Sequence, residues 1–96
     1  MLKNKVAFLT GCNRGIGRAL LETFAEHGAI VYAAARSENT LDKIAIDLEK
    51  KYDTTIIPVY FDIKDTGALK EVFIKINKEQ RRLDCIVNNA GVMEDA

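Results

Sequence analysis

The stretch LTGCNRGIG, Leu9 to Gly17, places three glycines between an apolar run and a helix-like pattern. A tight turn needs one glycine, and each further glycine costs chain entropy on folding. At the first turn from a strand into a helix, the helix presents unpaired N–H groups and the positive end of its dipole. Gly11 would allow a sharp exit from the strand, Gly15 would let a pyrophosphate approach the backbone, and Gly17 would let the helix pack closely. We interpret the stretch as a phosphate-binding turn rather than a tight turn alone.

Apolar runs of strand length alternate with helical patterns along the rest of the chain. The runs span residues 5–10, 29–35, 54–61 and 83–87. Between them, apolar residues recur at helical spacing and predict one buried face per helix. The three predicted faces consist of Ile16, Leu20, Leu21 and Phe24, of Leu41, Ile44, Ala45 and Leu48, and of Leu69, Val72, Phe73 and Ile76. The alternation predicts an α/β fold, a doubly wound parallel sheet of the Rossmann type in three αβα layers.

The order of the strands follows from a proline. Pro58 lies inside the third apolar run and cannot donate a ladder hydrogen bond, so this strand is expected at a sheet edge. The strand order 3-2-1-4 of a doubly wound sheet meets that condition. It leaves the fourth strand as an apolar open edge. Gly28 is predicted to end the first helix as a left-handed cap, with His27 in the last turn.

Composition narrows the class of protein. The 96 residues are 48% hydrophobic and 29% charged with zero net charge, which indicates one globular domain and no polyanionic partner such as nucleic acid. No apolar run approaches the roughly 20 residues that span a bilayer, and no signal peptide is recognisable, so we expect a cytoplasmic protein without a membrane partner. Cys12 and Cys85 are expected to be reduced, and no metal site is predicted.

Two motifs carry a resemblance to a known family. The spacing G-x-x-x-G-x-G in TGCNRGIG resembles the TGxxxGxG of the short-chain dehydrogenases/reductases, and NNAG, Asn88 to Gly91, resembles the motif that follows their fourth strand. Within that family, Arg14 and Asp95 look most like the 3-oxoacyl-[acyl-carrier-protein] reductases. The resemblance covers the whole chain. It implies that residues 1–96 are the N-terminal part of a single NADP-binding domain whose C-terminal half is absent.

The resemblance also implies a set of cofactor-binding residues. Those expected around the pyrophosphate and adenosine ribose are Gly11, Cys12, Asn13, Arg14, Gly15, Ile16 and Gly17. Asp62 and Ile63 correspond to the pair that contacts adenine, although Asp62 could also be a plain strand-end turn residue. Asn89 corresponds to an asparagine near the cofactor ribose, and Ala90 and Gly91 belong to the same motif, which steadies the central sheet.

The end of the second strand favours NADP over NAD. An NAD site needs a carboxylate there for the ribose 2′-hydroxyl, whereas this chain has Ala35 followed by Arg36 and Ser37. A guanidinium would bind a 2′-phosphate through charge-assisted hydrogen bonds, and Arg14 could join it. Glu38 is the only nearby acid and is expected in the first turn of the second helix. The alternative is that Arg36 is a solvated loop arginine.

The family's catalytic group, a serine and a helical Tyr-x-x-x-Lys pair, is not expected among these residues. Tyr60 and Lys64 have the spacing but lie on a predicted strand, where four steps span roughly 13 Å, so we assign no catalytic residue. The leading function is the coenzyme-binding half of an NADP(H)-dependent carbonyl reductase, with a 3-oxoacyl thioester or other small-molecule substrate. The resemblance implies a homo-oligomer, a dimer or tetramer, when complete. The alternatives are a non-catalytic NADP(H)-binding fragment or sensor, and a remnant that binds nothing.

Overall fold

Four strands and three helices alternate along the chain in the computed structural model, which describes residues 3–13 and 15–89. Their order is β1 (Val6–Leu9), α1 (Gly15–Glu26), β2 (Ile30–Ala35), α2 (Asp42–Tyr52), β3 (Thr55–Tyr60), α3 (Thr66–Gln80) and β4 (Cys85–Val87). In this described part, no helix is long and apolar enough to cross a membrane.

The four strands form one parallel sheet in the order β3-β2-β1-β4. The predicted fold class and strand order are therefore confirmed. Pro58 lies opposite Ala33 in the edge strand β3. On the same strand, Ile56 N–H donates to the Glu49 carboxylate of α2 at 2.8 Å instead of to a strand. β4 is the other edge strand among the described residues. Its residue Ile86 is 56% exposed, in agreement with the apolar open edge that the sequence predicts.

Helices cover both faces of the sheet. The α1 and α2 side chains pack on one face, where the fully buried members include Leu9, Leu21, Val31 and Leu41. The α3 side chains Val72 and Ile76 pack on the other face, around Phe8 and Tyr32. The rings of Phe8 and Phe73 meet edge to face with centroids 5.4 Å apart. Both faces of the central strands are thus buried, which explains why their apolar runs do not alternate with polar residues.

The predicted helix faces are correct for α2 and α3 and partly wrong for α1. The buried face of α1 consists of Gly17, Leu21 and Ala25, with Leu20 and Phe24 half-buried. Ile16 is 73% exposed, because it lies outside the buried row of α1 that begins at Gly17. The prediction for Glu38 is also wrong: α2 begins at Asp42, so Glu38 lies in the preceding loop and not in the first turn of the helix.

The end of α1 follows the expected pattern. Gly28 has a φ of 86°, its N–H donates to the Ala25 carbonyl at 3.0 Å, and Ala29 N–H donates to the Phe24 carbonyl at 3.1 Å. A left-handed residue just past the helix is the position that favours glycine. His27 Nδ1 donates to the Thr23 carbonyl at 2.8 Å, so the only histidine of the chain caps this helix.

Asp84 links the amino ends of β1 and β4. Its carboxylate accepts from Val6 N–H at 2.8 Å and from two nitrogens of Arg82 at 2.8 and 2.9 Å. The Arg82 hydrogen bonds, supported by that of Val6, lower the pKa of Asp84 to about 2. A charged carboxylate therefore holds the two strands together at the end of the sheet opposite the glycine turn.

Candidate functional site

The predicted site residues that the structure describes lie at one end of the sheet, where the carboxyl ends of the parallel strands meet. Gly11 follows β1 closely, Arg36 follows β2, Asp62 lies just past β3, and Asn88 and Asn89 follow β4. Ligands of open parallel sheets bind in the crevice outside these strand ends. The topology thus brings together residues that lie up to 79 positions apart in the sequence.

The backbone of the glycine turn favours glycine at two positions. Gly11 and Gly15 have φ values of 62° and 61°, in the left-handed region that disfavours other residues. At Gly17, an added Cβ would lie 1.9 Å from the Gly11 carbonyl oxygen. The close packing predicted for Gly17 is therefore packing against the turn itself, whereas the other two glycines are favoured by their backbone angles.

The turn leaves open space in front of α1. Among the described residues, and leaving aside its chain neighbours, no atom lies within 4 Å of a Cβ added at Gly15, and Asn13 and Ile16 are exposed beside it. The amino end of α1 offers backbone N–H groups and a positive dipole end at this place. A glycine cradle in front of a helix fits a pyrophosphate, so the residues present suit a dinucleotide cofactor.

Cys12 faces the protein interior. Its side chain is fully buried, its thiol donates to the Leu9 carbonyl at 3.3 Å, and its N–H donates to the Ala34 carbonyl at 3.2 Å. Burial raises the pKa of the Cys12 thiol to about 12, which outweighs the lowering expected near a helix amino end. Cys12 is thus a core residue that ties the glycine turn to β1 and β2, and its thiol and N–H are not directed at a ligand.

Thr10 connects the glycine turn to the end of β4. Its hydroxyl donates to Asn88 Oδ1 at 3.0 Å, and Asn89 Nδ2 donates to the Thr10 carbonyl at 3.1 Å. Thr10 N–H also donates to the Val87 carbonyl at 3.0 Å. These contacts hold the carboxyl ends of β1 and β4 in a fixed relation, so Asn89 is placed beside the turn by its own amide group.

Arg36 and Asp62 come together across β2 and β3. Arg36 Nε lies 3.9 Å from Asp62 Oδ2, and the two side chains are 81% and 44% exposed. The other Asp62 oxygen accepts from Lys64 N–H at 3.0 Å, which fixes the carboxylate in the turn before α3. The guanidinium is largely exposed after the end of β2, because its contact with Asp62 is a weak, solvent-screened one through Nε.

The remaining predicted residues divide into two groups. Ser37 is exposed next to Arg36, and its carbonyl accepts from the Thr40 hydroxyl at 2.8 Å; Ile63 is half-buried in the turn after Asp62. The residues that lie outside the described part of the chain are Arg14, Ala90, Gly91 and Asp95.

Tyr60 is a residue whose place in the site the sequence did not indicate. Its hydroxyl accepts from Leu41 N–H at 2.8 Å and donates to Asp42 Oδ1 at 2.6 Å. Burial, with the Asp42 hydrogen bond, raises the pKa of Tyr60, so the hydroxyl keeps its proton at neutral pH. β3 ends at Tyr60 and Lys64 lies in a turn, so the pair is not helical, as predicted. No local pattern could have shown a contact that spans 19 residues.

A groove of about 340 Å³ lies at the opposite end of the sheet. Its lining includes Lys5, Phe24, Asp84 and Cys85, at the amino ends of β1 and β4. The glycine turn and Arg36 lie at the carboxyl ends, so this groove is not part of the candidate site.

Comparison with known proteins identifies the family. Residues 5–96 match the family model of the short chain dehydrogenases, and the chain belongs to that family. It is 36% identical to the 3-oxoacyl-[acyl-carrier-protein] reductase of Thermotoga maritima, over 99% of this chain and 38% of the relative. It resembles the crystal structure of L-sorbose reductase from Gluconobacter frateurii, complexed with NADPH and L-sorbose, with a TM-score of 0.85 and 31% identity over 92% of this chain and 34% of that one.

A second solved structure carries the other nicotinamide cofactor. Carveol dehydrogenase from Mycobacterium avium, in complex with NAD, matches with a TM-score of 0.78 and 33% identity over 92% of this chain and 36% of that one. The chain spans between 29% and 38% of the length of the curated relatives it matches.

Proposed function

We propose that this chain is the coenzyme-binding part of an oxidoreductase that transfers a hydride between NADP(H) and a carbonyl or alcohol group. The observation that carries the proposal is the glycine turn: Gly11 and Gly15 have left-handed backbones, and the space beside Gly15 is open in front of α1. Those proposed site residues that the structure describes lie near the same carboxyl ends of the strands.

The preference for NADP(H) rests on charge at the end of β2. Ala35 ends the strand where an NAD site would have a carboxylate, and Arg36 follows with an exposed guanidinium. A 2′-phosphate carries nearly two negative charges and accepts charge-assisted hydrogen bonds from such a group. The carboxylate of Asp62 contacts Arg36 instead of occupying the position of a ribose ligand. NAD remains the less favoured cofactor.

When bound, NADPH supplies the hydride, and the residues of this chain bind and orient it. We assign pyrophosphate binding to the glycine turn, 2′-phosphate binding to Arg36 with Ser37 and Arg14, and adenine contact to Asp62 with Ile63. Asn89, held against Thr10, is assigned to the cofactor ribose. The catalytic serine and the helical tyrosine–lysine pair are assigned to sequence outside these 96 residues.

The substrate and partners belong to the same proposal. The three relatives described above are named for three different substrates: a 3-oxoacyl-[acyl-carrier-protein], L-sorbose and carveol. We propose a 3-oxoacyl thioester, because the resemblance of Arg14 and Asp95 favours that group of enzymes. We further propose a cytoplasmic homo-oligomer, a dimer or tetramer, with no nucleic-acid or membrane partner.

Non-catalytic binding of NADP(H) is the second candidate function. Within these 96 residues the one Tyr-x-x-x-Lys, Tyr60 and Lys64, lies on a strand and a turn, so the described residues support binding of the cofactor and no catalytic step. Binding of the cofactor is common to both candidates. Turnover of a carbonyl substrate by the protein that carries this chain separates them.

Calorimetric titration of the purified protein with NADPH and NADH tests the proposal. The two ligands differ only in the 2′-phosphate, so their affinity ratio measures recognition of that group. We expect NADPH to bind at least tenfold more tightly, because one charge-assisted hydrogen bond is worth about 1.5–3 kcal/mol. Binding of neither ligand would overturn the proposal, and tighter binding of NADH would overturn the cofactor assignment.

A further inference from the structure

The loop between β2 and α2 carries the residues assigned to the 2′-phosphate. All five residues from Arg36 to Thr40 are exposed, and Leu41 at the end of the loop is fully buried. Within the loop, Thr40 bonds back to the Ser37 carbonyl through both its hydroxyl and its N–H. An exposed loop of this kind depends on its two ends for a defined conformation.

Tyr60 links the two ends of this loop. Its Cα lies opposite Ala35 in the sheet, directly before the loop, where the next residue, Phe61, donates its N–H to the Ala35 carbonyl at 3.1 Å. Its hydroxyl reaches the other end, where it accepts from Leu41 N–H and donates to the Asp42 carboxylate. Leu41 is the N-cap of α2 and provides no side-chain cap bond. The Tyr60 hydroxyl therefore supplies the acceptor that the start of α2 lacks, and it closes the loop with one rigid aromatic side chain.

We propose that Tyr60 is a positioning residue that sets the preference for NADP(H) over NAD(H). The inference rests on the proposed function, in which Arg36 and Ser37 receive the 2′-phosphate. Tyr60 does not need to touch the cofactor: it limits the conformations of the loop, so that less entropy is lost when the phosphate is bound. NAD(H) carries a neutral 2′-hydroxyl in place of the 2′-phosphate, so its affinity should depend little on how this loop presents Arg36 and Ser37.

Tyr60→Phe tests this inference in the purified protein. The variant keeps the ring on β3 and removes both hydrogen bonds of the hydroxyl. We expect the dissociation constant of NADPH to rise about threefold to tenfold, equivalent to about 0.6–1.4 kcal/mol, while that of NADH changes less than about twofold. Asp42→Ala is a second variant that leaves the Leu41 bond in place, and we expect it to give a smaller selective loss.

Tyr32→Phe is a matched control. Tyr32 also donates its hydroxyl to a carboxylate at 2.6 Å, that of Glu79, but it does so beneath α3 on the opposite face of the sheet. We expect it to leave the NADPH to NADH affinity ratio unchanged even if stability falls. In an Arg36→Ala background, Tyr60→Phe should have little further effect on NADPH, because the group that the loop presents is gone.

Three outcomes would overturn the inference. An unchanged NADPH affinity in Tyr60→Phe would remove the positioning role, and equal losses for both cofactors would reduce Tyr60 to a structural residue. Either result leaves the proposed function standing, because the wild-type protein still binds NADPH. Failure of the wild-type protein to bind either cofactor would overturn the proposed function and the inference with it.

Discussion

The guanidinium Nε of Arg36 lies 3.9 Å from the carboxylate Oδ2 of Asp62, so the ends of β2 and β3 meet in an exposed ion pair. Both residues are assigned to the same cofactor, Arg36 to its 2′-phosphate and Asp62 to its adenine. Without a phosphate nearby, the carboxylate is the anion in contact with the guanidinium. A 2′-phosphate would therefore compete with Asp62 for Arg36.

Reversal of the charge at Arg36 is expected to change the cofactor preference. Arg36→Asp removes charge-assisted hydrogen bonds to the 2′-phosphate, and it adds repulsion. We expect NADPH affinity to fall about ten- to a hundredfold per lost bond and NADH affinity to hold or improve. The loss should shrink at high salt, as screening weakens both effects. Lys50→Asp, which makes the same charge change in the last turn of α2, is the control. An unchanged NADPH dissociation constant would make Arg36 a solvated loop arginine.

Neutralisation of Asp62 is expected to act in the opposite direction. Asp62→Asn frees Arg36 from its competing carboxylate, so the NADPH to NADH affinity ratio should rise about two- to fivefold, the range for an exposed ion pair. An altered adenine contact would affect both cofactors equally and cancel in the ratio. The effect should vanish when Arg36 is already alanine. A fall in the ratio would contradict the competition between Asp62 and the phosphate.

The glycines of the turn and of α3 should respond differently to alanine. Gly17→Ala places a Cβ 1.9 Å from the Gly11 carbonyl oxygen, so the turn or the helix must shift. We expect a loss of about 3 kcal/mol in the free energy of unfolding, measured by urea denaturation. At Gly67 of α3 the same Cβ meets only Asp65 Oδ1 at 3.4 Å, and alanine should be neutral or stabilise by up to about 1 kcal/mol. Equal effects at both positions would contradict the packing described for α1.

Stability should fall in acid through Asp84. Its folded-state pKa of about 2 lies below the ordinary value of 3.8, so the ionised form is favoured by folding. The resulting stabilisation is fully present above about pH 4 and is lost as the pH falls through the folded-state pKa. Asp84→Asn should remove that part of the pH dependence measured by denaturation from pH 6 to pH 2, whereas Asp47→Asn on the exposed side of α2 should not. An unaltered acid profile in Asp84→Asn would show that the Val6 and Arg82 contacts do not favour the charged form.

Residues 1–96 alone are expected to reduce no carbonyl. The Tyr60 hydroxyl donates a hydrogen bond to the Asp42 carboxylate, and Tyr60 lies on β3. It is therefore not available to protonate a substrate oxygen. NADPH consumption with a 3-oxoacyl thioester, followed by absorbance, should stay at the uncatalysed background. A rate above background that survives the Tyr60→Phe substitution would show that other residues of this chain catalyse the reaction.

The parts of the molecule that depend on local patterns were predictable. Pro58 placed β3 at an edge, and the spacing of Val72 and Ile76 identified the buried face of α3. The same periodicity failed at Ile16, because the buried face of α1 is built partly from small residues that give little hydrophobic signal. The partners of Tyr60 and the burial of Cys12 depend on contacts between distant segments, and no short stretch of sequence contains that information.

The outer side of β3 has few groups through which a further strand could join. Alternate residues of a strand direct their N–H groups to the same side, and Phe61 N–H points inward to the Ala35 carbonyl. Ile56 and Pro58 therefore face outward. The first donates to Glu49, and the second has no N–H. β3 is therefore a protected edge, so a further strand, from the same polypeptide or another molecule, would pair more readily with β4 than with β3.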